Sequence, residues 1–141
     1  MNIKYLLDSS QLRLRQIDKE RIKSLLKSSE TNVGVVKTIK LTDDSATVIF
    51  REIYESVRQL GDAKWWLLGY EPLNHEISME MLKTINIKEK LKLNHLSRFK
   101  KIRNDANYRG FRVSVAQAQE ITDFWNACGK DIINLIEKEI K

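Results

Sequence analysis

A chain of 141 residues with a single proline, Pro72, and only five glycines has little of the punctuation that turns between short strands require. Long uninterrupted segments follow, and the apolar residues within them recur at helical spacing. Ile22, Leu25, Leu26, Ser29, Val33 and Val36 fit the template of a helix with one buried stripe. Gly34 lies inside that helix at a cost of about 1 kcal/mol, which predicts a close crossing with a neighbouring element there. In "LTDDSAT", residues Thr42 to Ser45 offer N-caps, with acids near the positive end of the helix dipole. The helix they open carries Ala46, Ile49, Phe50, Ile53, Val57, Leu60, Leu67 and Leu68 on one stripe. It sets Arg51, Glu52, Glu55, Arg58 and Asp62 on the other face and should run to about Gly69.

"NHEISMEMLKTI" reads as a shorter third helix capped by Asn74, and the lysine-rich "NIKEKLK" as the link that follows it. The fourth helix is "LNHLSRFKKIRNDANY", with Leu96, Phe99, Ile102 and Ala106 inward and Arg98, Lys100, Lys101 and Asp105 mostly outward. Ser114 caps the last helix, whose stripe is Ala118, Ile121, Trp125, Cys128, Ile132, Leu135 and Ile136. No internal repeat or low-complexity tract breaks the pattern. The predicted fold class is all-α: one domain over 1–141, an antiparallel up-and-down bundle of four to five helices with short loops.

A chain of this length buries a core without staples. Its one cysteine, Cys128, excludes an intrachain disulfide, and with only the widely spaced His75 and His95 beside it there is no Cys-His zinc cluster. No metal and no cofactor is expected, and a reducing compartment, most simply the cytoplasm, is implied. Neither a signal peptide nor a membrane span is legible. The GxxxxGK[ST] loop, the GxSxG elbow and the HExxH pair are all absent, which removes the commonest nucleotide-binding and hydrolase signatures. A net charge of +6 suits a polyanionic partner such as RNA or DNA. His75 reads as a helix-start residue or loop hydrogen-bonder rather than a ligand, and Glu52 and Glu55, which at i, i+3 offer an acid pair, read more simply as parts of an ion-paired helix face with Arg51 and Arg58. In "KWWLLGY" only one of Trp65 and Trp66 is expected to face the chain's own core. The other would be buried against a second chain in a two-fold homodimer.

The densest polar stretch is "RNDANYRG", residues 103 to 110, at the end of the fourth helix. Its glycine is placed for a left-handed C-terminal cap, and as a helix end the stretch needs no further role. As a site it offers two adjacent rows, since Arg103 and Asn107 are four apart and so are Asn104 and Tyr108, with Arg109 at the end. Arginine presents a planar fork suited to phosphate, while Asn and Tyr can orient a sugar or a base edge. His95 precedes Arg103 by eight positions, roughly 80° apart around a helix axis, so the two would share one broad face.

The segments "RIKSLLKSSETN", "SATVIFREIYESVRQLGDAKWWLLGYEPLNHE" and above all "RFKKIRNDANYRGFRVSVAQAQEITDF" resemble the HEPN (higher eukaryotes and prokaryotes nucleotide-binding) domain family, in particular its small archaeal and bacterial members. The resemblance implies a helical bundle, usually dimeric, in which Arg103 corresponds to the motif arginine and Asn104 to its polar follower. In that family the arginine is followed after four to six residues by a histidine. Many members are metal-independent endoribonucleases of toxin–antitoxin, CRISPR or phage-defence systems, often paired with a small nucleotidyltransferase. Here Tyr108 follows Arg103 after four residues, Asn107 after three, and the next positions are Arg109 and Gly110, so no histidine fills the slot. Asn does not titrate and Tyr titrates near pH 10, so neither takes a 2′-hydroxyl proton at neutral pH. The expectation is a homodimeric RNA-binding protein with weak or absent nuclease activity, contacting RNA through Arg103, Asn104, Asn107, Tyr108 and Arg109. Two other readings stand beside it. One is a working endoribonuclease toxin, with Arg103, Asn107 and Tyr108 in its active site and a base such as His75 or His95 drawn from elsewhere. The other is the partner of a nucleotidyltransferase antitoxin, with Tyr108 as a modification acceptor.

Overall fold

The computed structural model describes residues 2–140, and most of them are helical. In chain order the elements are α1 (Ile3–Asp8), β1 (Leu12–Leu14), α2 (Lys19–Val36), α3 (Ala46–Leu67), β2 (Tyr70–Pro72), α4 (His75–Leu82), α5 (Leu96–Tyr108), α6 (Val115–Phe124) and α7 (Lys130–Glu139). A 3-10 turn, Lys90–His95, leads into α5, and a π-helical turn, Trp125–Gly129, joins α6 to α7.

Local chemistry accounts for most of the helix ends. The Asp18 carboxylate accepts the N–H of Arg21 at 3.0 Å and opens α2. The Asn74 side chain accepts the Glu76 N–H at 2.7 Å and opens α4. Ser114 and Gln117 form a reciprocal capping box at the start of α6. At α3 the expected cap takes another form. Ser45 stands at the N-cap position, but Thr42 and Ser45 spend their hydroxyls on each other's backbone N–H groups, 2.9 and 3.2 Å away. They fold the α2–α3 connection into a tight turn instead of capping the helix. The helix also stops at Leu67, two residues short of Gly69, and Leu68 lies outside the core.

The central element is α3, which packs against α2, α4, α5, α6 and α7. Its stripe of Ala46, Ile49, Phe50, Ile53, Val57 and Leu60 is buried in the main core together with Ile22, Leu26, Phe99, Ile121 and Ile132. A second, smaller core of Leu6, Leu12, Trp65, Ile77 and Met81 lies under α1 and a two-stranded antiparallel ribbon. That ribbon pairs Leu12 with Pro72, Arg13 with Glu71 and Leu14 with Tyr70. The helical class therefore holds, and α1 and the two-stranded ribbon are additions that the expected bundle of four to five helices did not contain.

The two cores settle the tryptophan pair differently from the sequence expectation. Adjacent helix positions point about 100° apart, and each ring enters a different core of the same chain. Trp65 is fully buried in the smaller core and donates its indole N–H to the Ile77 carbonyl at 3.0 Å. Trp66 is 8% exposed in the main core, with the Arg21 guanidinium 4.5 Å from its ring centroid. Neither ring is left over for a second chain. The close crossing expected at Gly34 is also absent, because no heavy atom of a neighbouring element lies within 4 Å of where its Cβ would stand. It occurs at Gly61, where a Cβ would collide with the backbone carbonyl of Ser78, so α3 and α4 touch backbone to backbone. Among the described residues no helix is long and apolar enough to cross a membrane.

Candidate nucleic-acid interface

Leu96, Phe99 and Ala106 anchor α5 in the core and thereby fix the directions of the other side chains on that helix. Gly110, at φ +70°, turns the chain at its end. The N–H groups of Arg109 and Phe111 both return to the Asp105 carbonyl, at 3.0 and 3.3 Å. The helix-end reading of "RNDANYRG" is therefore correct, and it coexists with a particular arrangement of the polar residues.

The structure separates the two rows. Arg103 turns toward α3, where its guanidinium lies 5.6 Å from the ring centroid of the buried Tyr54. Burial raises the Tyr54 phenol above its usual range, and the positive charges of Arg103 and Arg58 oppose that shift. Beside it, the Glu55 carboxyl is held below its ordinary value by the hydrogen bond from Arg58, whose Nε donates at 3.1 Å. Burial works against that depression, and the charges of Arg58, His75 and Arg103 add to it. Arg58 also pairs with Asp62, which accepts a hydrogen bond from the Ser78 hydroxyl. The Asp62 carboxyl is raised by burial, against the pull of Arg58 and Ser78. The side chains of Arg58 and Asp62 are each only 13% exposed. The ion-paired face expected on α3 thus exists in part: Glu55, Arg58 and Asp62 pair, enclosed at Arg58 and Asp62 rather than solvated, whereas Arg51 and Glu52 form no ion pair among the described residues and Arg51 reaches the Ala106 carbonyl instead.

The row of Asn104 and Tyr108 faces the other way. With Arg109 these residues line a groove of about 500 Å³ between α4 and α5. Lys83, Lys100, Lys101 and Arg109 bring four cations to its wall against the carboxylates of Glu80 and Asp105. Lys83 pairs with Glu80 at 2.8 Å, Lys100 with Glu76 at 3.1 Å and Arg109 with Asp105 at 4.0 Å. Lys101 has no ion-pair partner among the described residues. Tyr108 is 77% exposed, an unusual position for a large aromatic ring. Asn107 is exposed and does not line the groove. Of the five residues singled out in the sequence, Asn104, Tyr108 and Arg109 come together. Arg103 sits with Tyr54 instead.

The two histidines also part company. His75 is the first residue of α4, as its sequence position suggested, and its charge reaches Glu55 as Arg103's does. His95 sits before α5, its ring 6.1 Å from that of Phe99 and its Nδ1 3.3 Å from Arg98. Its neighbours are not those of Arg103. Lys83 and Tyr54, which shape the two sides of α5, were not among the candidates, because they come from other helices and no spacing within α5 points to them. Among the described residues no group of three His, Cys, Asp or Glu side chains is placed to hold a metal ion. No family model, curated protein or solved structure matches this chain.

Proposed function

We propose that this chain is a HEPN-type RNA-binding helical bundle that acts as a homodimer and has weak or no nuclease activity. The observation that carries the reading is the cationic groove on α5, walled by Lys83, Lys100, Lys101 and Arg109 and rimmed by the exposed Tyr108. Ammonium and guanidinium groups meet phosphate there, and the Asn104 amide and the Tyr108 ring are available to sugar and base. The arginine that would stabilise a transferring phosphate, Arg103, has Tyr108 in the slot where the family places histidine. A phenol is a poor proton acceptor at neutral pH, so binding outlasts catalysis.

One observation favours a metal-independent endoribonuclease as the second reading. His75 and Arg103, from α4 and α5, both act on the Glu55 carboxyl, which puts an imidazole on the arginine's side of the molecule. The experiment that separates the readings measures binding and cleavage of a labelled single-stranded RNA in EDTA. The strands are challenged with wild type, Arg103→Ala, His75→Ala, Tyr108→His, Asn107→His, and each histidine variant combined with Arg103→Ala. Wild type should bind with a log–log salt slope of about 0.7 per phosphate neutralised and cleave negligibly. A histidine variant should gain cleavage, toward the factor of about 10² to 10⁴ that a general base contributes, and lose it again with Arg103→Ala. Strong wild-type cleavage abolished by either Arg103→Ala or His75→Ala would establish the nuclease reading instead. Absence of RNA binding would overturn both.

A further inference from the structure

We infer that Tyr108 and Phe111 form a two-ring platform on which successive unpaired bases of a single-stranded RNA stack, while the cations of the adjacent groove hold its phosphates. The inference rests on the RNA-binding reading and adds to it a residue, Phe111, and a mode of recognition. Two large aromatic rings stand three positions apart on either side of the left-handed Gly110, 77% and 57% exposed. Each is followed by an arginine, Arg109 and Arg112.

The backbone that carries the second ring is tied to the groove wall, although the ring itself is not part of the groove lining. The Phe111 N–H donates to the carbonyl of Asp105, a residue of the groove wall, at 3.3 Å. Two residues later the chain is held again, where the N–H of the buried Val113 donates to the Thr47 hydroxyl at 3.0 Å. Phe111 is thus presented from a segment tied down on both sides, so little ordering is left to do when a base arrives. Arg112 contacts the Asp43 carbonyl at 2.8 Å and the Asp44 carboxylate at 3.1 Å. Because Asp44 is almost fully exposed, that pair holds the guanidinium weakly and leaves it free to exchange for phosphate.

Exposed rings beside clustered cations match the way single strands are bound, in which each base offers a π-face and the backbone tracks a positive groove. A duplex does not fit the platform, since its bases are already stacked on one another and A-form geometry keeps side chains out of its deep groove.

The test is fluorescence anisotropy with the full chain and three labelled probes: a single-stranded dodecamer, the same strand with abasic residues, and a hairpin duplex. Phe111→Ala and Tyr108→Ala should each weaken binding of the normal single strand by about 5- to 150-fold, the effect of removing one stacked base. The salt slope should stay unchanged because no phosphate contact is lost. Phe111→Trp should restore affinity, and the abasic strand should bind wild type and Phe111→Ala alike. The platform fails if wild type binds the single strand while both alanine variants bind it equally well, or if the losses are the same on the duplex. In that event RNA binding itself still stands. If wild type binds none of the probes at low salt, the platform and the RNA-binding reading fall together.

Discussion

The Arg103 guanidinium lies over the ring of Tyr54, with Cζ 5.6 Å from the ring centroid, so the cation of the polar stretch is aimed by a buried aromatic on a different helix. Two contributions meet in this pair: the ring fills the core, and the arginine receives a fixed direction. A half-buried cation–π contact is worth about 0.5 to 2 kcal/mol. A double-mutant cycle of Arg103→Ala and Tyr54→Leu, followed by guanidinium unfolding, should return a coupling in that range. Additivity of the two substitutions would mean that the contact directs the arginine without stabilising the fold.

Acid sensitivity should trace to Glu55. Its folded carboxyl lies below the ordinary value because of the Arg58 hydrogen bond. A depressed carboxylate contributes stability that is present above the unfolded value, near 4.3, and is lost as pH falls through the folded one. Asp62 runs the other way: burial raises it, so its contribution is full below the unfolded value and fades as pH rises through the folded one. Glu55→Gln should therefore make the acid limb of the stability curve shallower. Circular dichroism unfolding between pH 7 and pH 2 reads the effect, and a limb as steep as wild type would count against the Arg58 bond.

Both tryptophans should report on folding and not on assembly. Trp65→Phe forfeits the indole bond to the Ile77 carbonyl and leaves space in the smaller core, a loss of about 2 to 4 kcal/mol. Trp66→Ala opens the main core at a cost of about 3 to 5 kcal/mol. Light scattering should give each folded variant the wild-type mass at micromolar concentration. A variant that halves its mass while keeping its unfolding midpoint would place the ring at a subunit boundary after all.

Cys128 is buried, and burial pushes its thiol up to about 11. The reactive thiolate is scarce at ordinary pH and shielded as well. Ellman's reagent at pH 8 should therefore label the native chain no faster than the chain unfolds, and should label one thiol at once in denaturant. Immediate labelling of native protein would contradict the packing at this residue.

What was legible in the sequence is what depends on near neighbours. The stripe from Ile22 to Val36 is buried as its period requires, apart from Leu25 at its margin, and Asn74 and Ser114 cap the helices they precede. Features set by distant partners were not legible. Leu12–Leu14 is too short to show strand alternation, and it becomes a strand only because Tyr70–Pro72 lies beside it. Gly34 and Gly61 look alike in the chain, and only Ser78 distinguishes them. The candidate site lies between these cases. Helical spacing defined the rows of Arg103 with Asn107 and of Asn104 with Tyr108. That one row would meet Tyr54 and the other Lys83 depends on α3 and α4, which α5 alone does not encode.

The π-helical turn at Trp125–Gly129 divides the last rod into two segments of different phase. A turn closed from i to i+5 takes up one residue more than an α turn, so α7 is rotated by roughly one residue, about 100°, from a straight continuation of α6. Gly129 lies under the Trp125 ring, where a Cβ would come within 2.9 Å of two ring carbons. The rod therefore has a natural insertion point. A kindred chain lacking the extra residue would be one residue shorter between Ser114 and Ile136 and still present the same apolar faces at both ends. Descent through this region would show as a single gap at 125–129, with each flanking segment diverging in its own frame.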